Sequence, residues 1–198
     1  MAERNALLSV YDKEGIADFG QSLVDLGWNL YASGGTRKEL AAKGVPATDT
    51  AELVGGGAIL DHKVVTLSRE IHAGLLATTD EEKAEIAELG IPLIDLVCVD
   101  FYPLADEIAK EDATLKSVKK ATDIGGPTML RAGAKGDRIV IADQRLRQVV
   151  LDWLHDGEPE PERFRLRLAV IAEATAGKYS MTSADALQSY LGGEHFTV

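Results

Sequence analysis

The chain has 198 residues, 45% of them apolar, with a single cysteine and a formal net charge of −11. That length carries one domain with a core of its own, and it excludes dependence on a metal or disulfide staple. The acidic balance, with no basic cluster along the sequence, argues against nucleic acid or anionic membrane as partners.

Strand and helix signals alternate. Residues 6–10 form a short apolar run. Asp12 is placed to cap a helix whose apolar positions are Ile16, Phe19, Leu23 and Leu26, stopped by Gly27. Residues 28–32 read as a second strand and residues 36–43 as a second helix, ending at Gly44. Residues 45–57 are glycine-rich and loop-like, and residues 63–67 are expected to be a third strand. A helix is predicted over residues 81–89. Residues 93–99 are almost wholly apolar, as a strand covered on both faces must be. They contain Cys98, which is expected to be a small buried hydrophobe. Residues 138–142 give the last strand and residues 145–154 a helix. After the polar, proline-bearing residues 155–162, two helices are expected, one marked by Phe164, Leu168 and Ile171, the other by Ala184, Leu187 and Leu191. The order predicts a three-layer α/β fold, a mostly parallel sheet flanked by helices. Residues 1–198 form a single domain, and residues 155–198 are its helical end. No apolar run approaches the ~20 residues of a membrane span. The amino terminus has no signal-peptide pattern and disulfides are not in use, so a cytoplasmic protein is expected.

Ligands of such sheets sit at the carboxyl ends of the strands. Four segments there carry polar chemistry. ASGGT at 32–36 joins a strand to a helix. It is either a phosphate cradle, with glycines opening the helix start to an anion, or an ordinary βα turn. Lys13, after the first strand, is either a phosphate cation or a solvated lysine. Tyr102, in DFYP at 100–103, either donates into a cleft or covers the core. DIGGPTMLRAGAK at 123–135 places Pro127 at a helix start bared by glycines, with Asp123 before the helix and Lys135 near its end. A carboxylate and an ammonium flanking open N–H groups could move protons and stabilise an oxyanion; a capped surface helix is the plain alternative. His62 and His72 lack metal-ligand spacing.

Taken together, residues 9–15 (SVYDKEG), ASGGT, TLSREIHAGLL, DFYPLAD and DIGGPTMLRAGAK follow the order and spacing of a known family. The chain resembles the inosine monophosphate cyclohydrolase domain, the amino-terminal half of the bifunctional purine-biosynthesis enzyme, from residue 6 to about residue 191. ASGGT is shared more widely with methylglyoxal-synthase-like domains. The resemblance implies a methylglyoxal-synthase-like fold, a homodimer, and closure of the ring of a formamidoimidazole carboxamide ribotide with release of water. No metal or organic cofactor is implied. It assigns catalysis to Asp123, Lys135 and Tyr102. It assigns ligand and phosphate binding to Lys13, Ser33, Gly34, Gly35, Thr36, Thr66, Asp100, Gly125, Gly126 and Thr128. A phosphate-binding regulatory domain and a methylglyoxal synthase are the alternatives.

Six positions depart from the family pattern. Tyr11 replaces a serine, Val65 a lysine, Ser68-Arg69 a His-Pro pair, Asp100 an asparagine and Gly136 an asparagine. If residues 63–67 are a strand, Lys63 shares a face with Val65. Its ammonium is then expected to reach towards the missing lysine's place as a catalytic substitute.

Overall fold

The computed structural model describes residues 3–57, 59–60 and 64–192. In chain order the elements are β1 (Arg4–Ser9), α1 (Ile16–Asp25), β2 (Trp28–Ala32), α2 (Gly34–Ala42), β3 (Thr48–Asp49), α3 (Thr50–Leu53), α4 (Arg69–Leu76), α5 (Asp80–Glu88), β4 (Leu96–Val99), α6 (Leu104–Ile108), α7 (Leu115–Ala121), α8 (Gly125–Lys135), β5 (Ile139–Ile141), α9 (Leu146–His155) and α10 (Pro161–Ser189). The five strands pair in parallel in the order β3-β2-β1-β4-β5. This is the expected three-layer α/β architecture.

Alternation along the strands sends side chains to two cores. Ala6, Leu8, Leu96 and Cys98 face one layer with Ile16 and Leu23 of α1 and Val150 and Trp153 of α9. Leu7, Val97 and Val99 face the other with Ile71 and Leu75 of α4 and Met129 and Leu130 of α8. Cys98 is buried as expected, and burial pushes its thiol up to about 11.

Three sequence expectations are corrected. The third strand is β3, within the glycine-rich stretch, where Tyr31 and Ala32 pair with Thr48 and Asp49. Residues 65–68 are bends, and Val64 makes only an isolated antiparallel bridge with Ile59. The valines there have high β propensity, but among the described residues Val64 pairs only with Ile59 and no strand runs beside Val65. The two carboxyl-terminal helices are one, α10, with 29 residues. It runs through Gly177, a residue helices tolerate at a cost when packing is sufficient. Among the described residues, no helix is long and apolar enough to cross a membrane.

From β1 the chain steps to β2 and β3 on one side, then to β4 and β5 on the other. The reversal lies between β1 and β4. A crevice opens beyond the carboxyl ends of strands at such a switch point.

Candidate functional site

A cavity of about 150 Å³ occupies that crevice, bounded by Ser9, Lys13, Ser33, Gly35, Asp100 and Asp123, among others. Larger hollows exist, but the 390 Å³ groove between α1 and α9 collects none of the predicted site residues.

One wall is the start of α2. Ser33 is its N-cap in extended conformation, yet the serine side chain does not cap the helix. Its hydroxyl instead meets that of Ser9 at 2.9 Å. The first helical bond runs from the Arg37 N–H to the Ser33 carbonyl. The N–H groups of Gly34, Gly35 and Thr36 precede it and have no intrahelical acceptor. The Thr36 hydroxyl is not available to a ligand. It is fully buried, accepting from the Val10 N–H at 3.0 Å and donating to the Val10 carbonyl at 3.2 Å. Only the Thr36 backbone can serve the cavity.

Lys13 comes from the β1–α1 connection. Its Nζ donates to the Tyr11 carbonyl at 2.8 Å and to the Val10 carbonyl. Its Cε lies 3.8 Å from the point a Gly35 Cβ would occupy, so the lysine leans over the start of α2. Burial lowers its pKa, opposed by Asp100, Asp12 and Glu39. Asp100, expected among the ligand-binding groups, is already engaged. It accepts from the N–H groups of Tyr11 and, at 3.3 Å, Asp12. It therefore clamps the segment that presents Lys13. Burial raises its pKa against those donors and the nearby Arg147 and Lys13. Tyr102 is 54% exposed, so it does not cover the core; its ring lies 5.2 Å from that of Tyr11 at the mouth of the cavity.

The opposite wall is Asp123 and the start of α8. The Gly126 N–H donates to Asp123 Oδ1 at 3.1 Å. Burial raises the Asp123 pKa, opposed by the N–H groups of Gly126, Gly125, Tyr102 and Ile124. Glycine is needed twice here. A Cβ on Gly126 would lie 2.7 Å from Asp123 Oδ2 and 2.8 Å from Phe101, and one on Gly125 would lie 2.6 Å from Thr66 Oγ1. Thr66, expected among the ligand-binding residues, thus lies against the start of α8. Pro127 is the third helical residue rather than the first.

Other predicted site residues fall outside. The Thr128 hydroxyl donates to the Ile124 carbonyl at 2.7 Å, on the side of a different hollow. Lys135 is the exposed last residue of α8, about 15 Å along the axis from Gly125. One chain therefore does not bring it to Asp123. Lys63 lies outside the described residues; Val65 itself lies in a bend. The departure at Gly136 has a packing cause: a Cβ there would lie 1.8 Å from the Leu75 carbonyl oxygen.

Sequence reasoning missed Ser9, Tyr179 and Arg147. The phenol of Tyr179, on α10, accepts from the Asp123 N–H at 2.7 Å, and its ring meets Phe101 edge-on at 4.8 Å. Arg147, on α9, donates to the Glu14 carbonyl at 2.6 Å. No local pattern announces either contact, because each partner is distant in sequence.

A parallel sheet with an open helix start, a lysine and a half-buried carboxylate gathered at its switch point defines a three-layer α/β domain. The model of the MGS-like domain matches residues 15–128, and the chain belongs to that family. Among solved structures it is similar to one titled "Crystal structure of ForH", with a TM-score of 0.78 and 33% identity over 93% of this chain and 99% of that one.

Proposed function

We propose that the chain is an inosine monophosphate cyclohydrolase. The observation that carries this reading is the meeting of an open helix start and the Asp123 carboxylate in one cavity at the switch point. The phosphate of the ribotide sits on the N–H groups at the start of α2, with Lys13 and the Ser9 and Ser33 hydroxyls. The helix dipole and local donors outweigh the acidic overall field at that point. The heterocycle extends towards Asp123, which also borders two further hollows of 330 and 520 Å³.

Ring closure joins the carboxamide nitrogen to the formyl carbon. Asp123 accepts a proton from the attacking nitrogen. The formyl oxygen becomes an oxyanion and takes that proton back from Asp123, giving a carbinol. The ionised Asp123 then takes the hydrogen of the former formamido nitrogen and passes it to the departing hydroxyl, so that water leaves and the carboxylate is restored. A carboxyl raised by burial suits both halves of this exchange, because its proton affinity moves towards that of its partners. Tyr102, at the cavity mouth, closes over the heterocycle.

One observation favours a second reading, a nucleotide-binding domain without turnover. Val65 stands half-buried where the resembling family has a lysine, and Lys13 is the one cation lining the cavity among the described residues. Purified protein mixed with the formylated ribotide separates the two: a purine absorbance rise supports the cyclohydrolase, and thermal stabilisation by inosine monophosphate without turnover supports the binding domain.

We also propose a homodimer formed along α10. Leu166, Val170 and Met181 are 64%, 63% and 62% exposed, and Ala174 and Gly177 are exposed between them. Antiparallel pairing centred between Ala174 and Gly177 sets Val170 opposite Met181, and Glu173 opposite Lys178, between two copies. Light scattering of wild type and Val170→Glu tests it, with a monomeric variant expected.

A further inference from the structure

Arg147 is the most deeply buried charge near the cavity that the proposed reaction does not use. It is 6% exposed, on α9, in the helical layer behind the sheet. Its Nη1 donates to the Glu14 carbonyl at 2.6 Å, and its Nε has no hydrogen-bond partner among the described residues. Burying a guanidinium is costly unless a negative charge and good acceptors repay it.

The repayment lies across residues 11–14. Asp100 grips that segment from the other end, through the N–H groups of Tyr11 and Asp12, and Asp12 in turn accepts from the Glu14 N–H at 2.9 Å. Arg147 holds its Glu14 carbonyl. The segment that carries Lys13 is therefore fixed between a buried cation and a half-buried anion, which attract each other. The segment has no regular secondary structure, so these two side chains hold the backbone from which Lys13 reaches back to the Val10 and Tyr11 carbonyls.

We propose that Arg147 is a positioning residue of the site: it holds the Glu14 end of the segment whose Tyr11–Asp12 end Asp100 clamps, and together they fix the backbone that presents Lys13. Arg147 touches no ligand. The other charged groups facing this pair are Lys13 from the β1–α1 connection, the Cys98 thiol from β4, and Asp143, which is itself paired with Arg145.

Two readouts test this on the full chain. The first is thermal stability against pH for wild type, Arg147→Met, Asp100→Asn and the double variant. Burial already places the Asp100 pKa above its ordinary value, and losing Arg147 raises it further. Below both values Asp100 is protonated and needs no counter-charge. The stability gap between wild type and Arg147→Met should therefore open as pH rises through the raised values. In the Asp100→Asn background the Arg147→Met gap should be flat over that range. A gap equally pH-dependent without Asp100 overturns the proposal.

The second readout is calorimetric titration with inosine monophosphate at neutral pH. Arg147→Met should weaken binding by about tenfold or more, the loss of a charge-assisted buried bond, and Arg147→Lys should recover part of it. Equal affinity in folded wild type and Arg147→Met overturns the positioning role. If Arg147→Met does not fold, Arg147→Lys and Asp100→Asn carry the comparison: additive losses in their double variant overturn the coupling. Should wild type fail to bind the nucleotide, the ligand reading fails, and the pH-dependent stability gap still decides the pairing.

Discussion

The N–H of Asp123 donates to the phenol of Tyr179 at 2.7 Å, across 56 positions of sequence. The long carboxyl-terminal helix thereby holds the backbone of the proposed catalytic carboxylate, and the Phe101–Tyr179 ring contact braces the same loop. Tyr179→Phe keeps the ring and leaves that part-buried N–H without its partner. We expect a stability loss of about 1–3 kcal/mol in urea unfolding, with kcat falling more than KM rises. Unchanged kcat with unchanged stability would remove α10 from the site.

Asp123→Asn separates activity from stability. Burial raises the pKa of Asp123 in the folded protein, so its ionised form is disfavoured by folding. That penalty is absent below the ordinary pKa and grows as pH rises through the raised value. The asparagine avoids it and still accepts from Gly126. The variant should therefore melt higher than wild type at neutral pH, with the gain vanishing near about pH 4, while turnover falls by about 100-fold or more. Melting scans across pH and initial rates check both halves.

Glycines at the two helix starts should behave differently. A Cβ on Gly35 meets only the far end of Lys13, at 3.8 Å, whereas one on Gly126 meets Asp123 Oδ2 at 2.7 Å. Gly35→Val should keep the fold and weaken inosine monophosphate binding by covering the open N–H groups. Gly126→Ala should displace the carboxylate and lower turnover with less effect on binding. Calorimetry and rate measurements on the pair distinguish a phosphate wall from a catalytic one.

Lys135 sits at the far end of α8, so it can reach an Asp123 cavity only across an interface between copies. Lys135→Ala and Asp123→Asn, each impaired alone, are expected to regain turnover when mixed and allowed to exchange subunits. Wild-type turnover in Lys135→Ala alone would remove that lysine from the reaction.

The architecture was legible because its signals are local. The β1, β2, β4 and β5 regions are short apolar runs bounded by glycine or polar residues, and α1 and α9 carry clear apolar faces. β3 was not legible: two residues, Thr48 and Asp49, become a strand only because β2 is beside them. The cavity walls at 33–36 and 123–126 could be read from glycines before helices. What the hydroxyl of Thr36 and the carboxylate of Asp100 do could not. Both are taken by the backbone of residues 10–12, from elements 26 and 89 positions away in sequence. The loss of regular structure around Val65 shows the same limit, since β propensity is satisfied only where a partner strand exists.

The most direct measurement is a continuous absorbance assay of the purified chain with the formylated imidazole carboxamide ribotide, run beside Asp123→Asn. A purine absorbance rise with wild type, strongly reduced in the variant, is the expected result. Tight binding of inosine monophosphate by wild type with no absorbance rise at any enzyme concentration would contradict the cyclohydrolase reading.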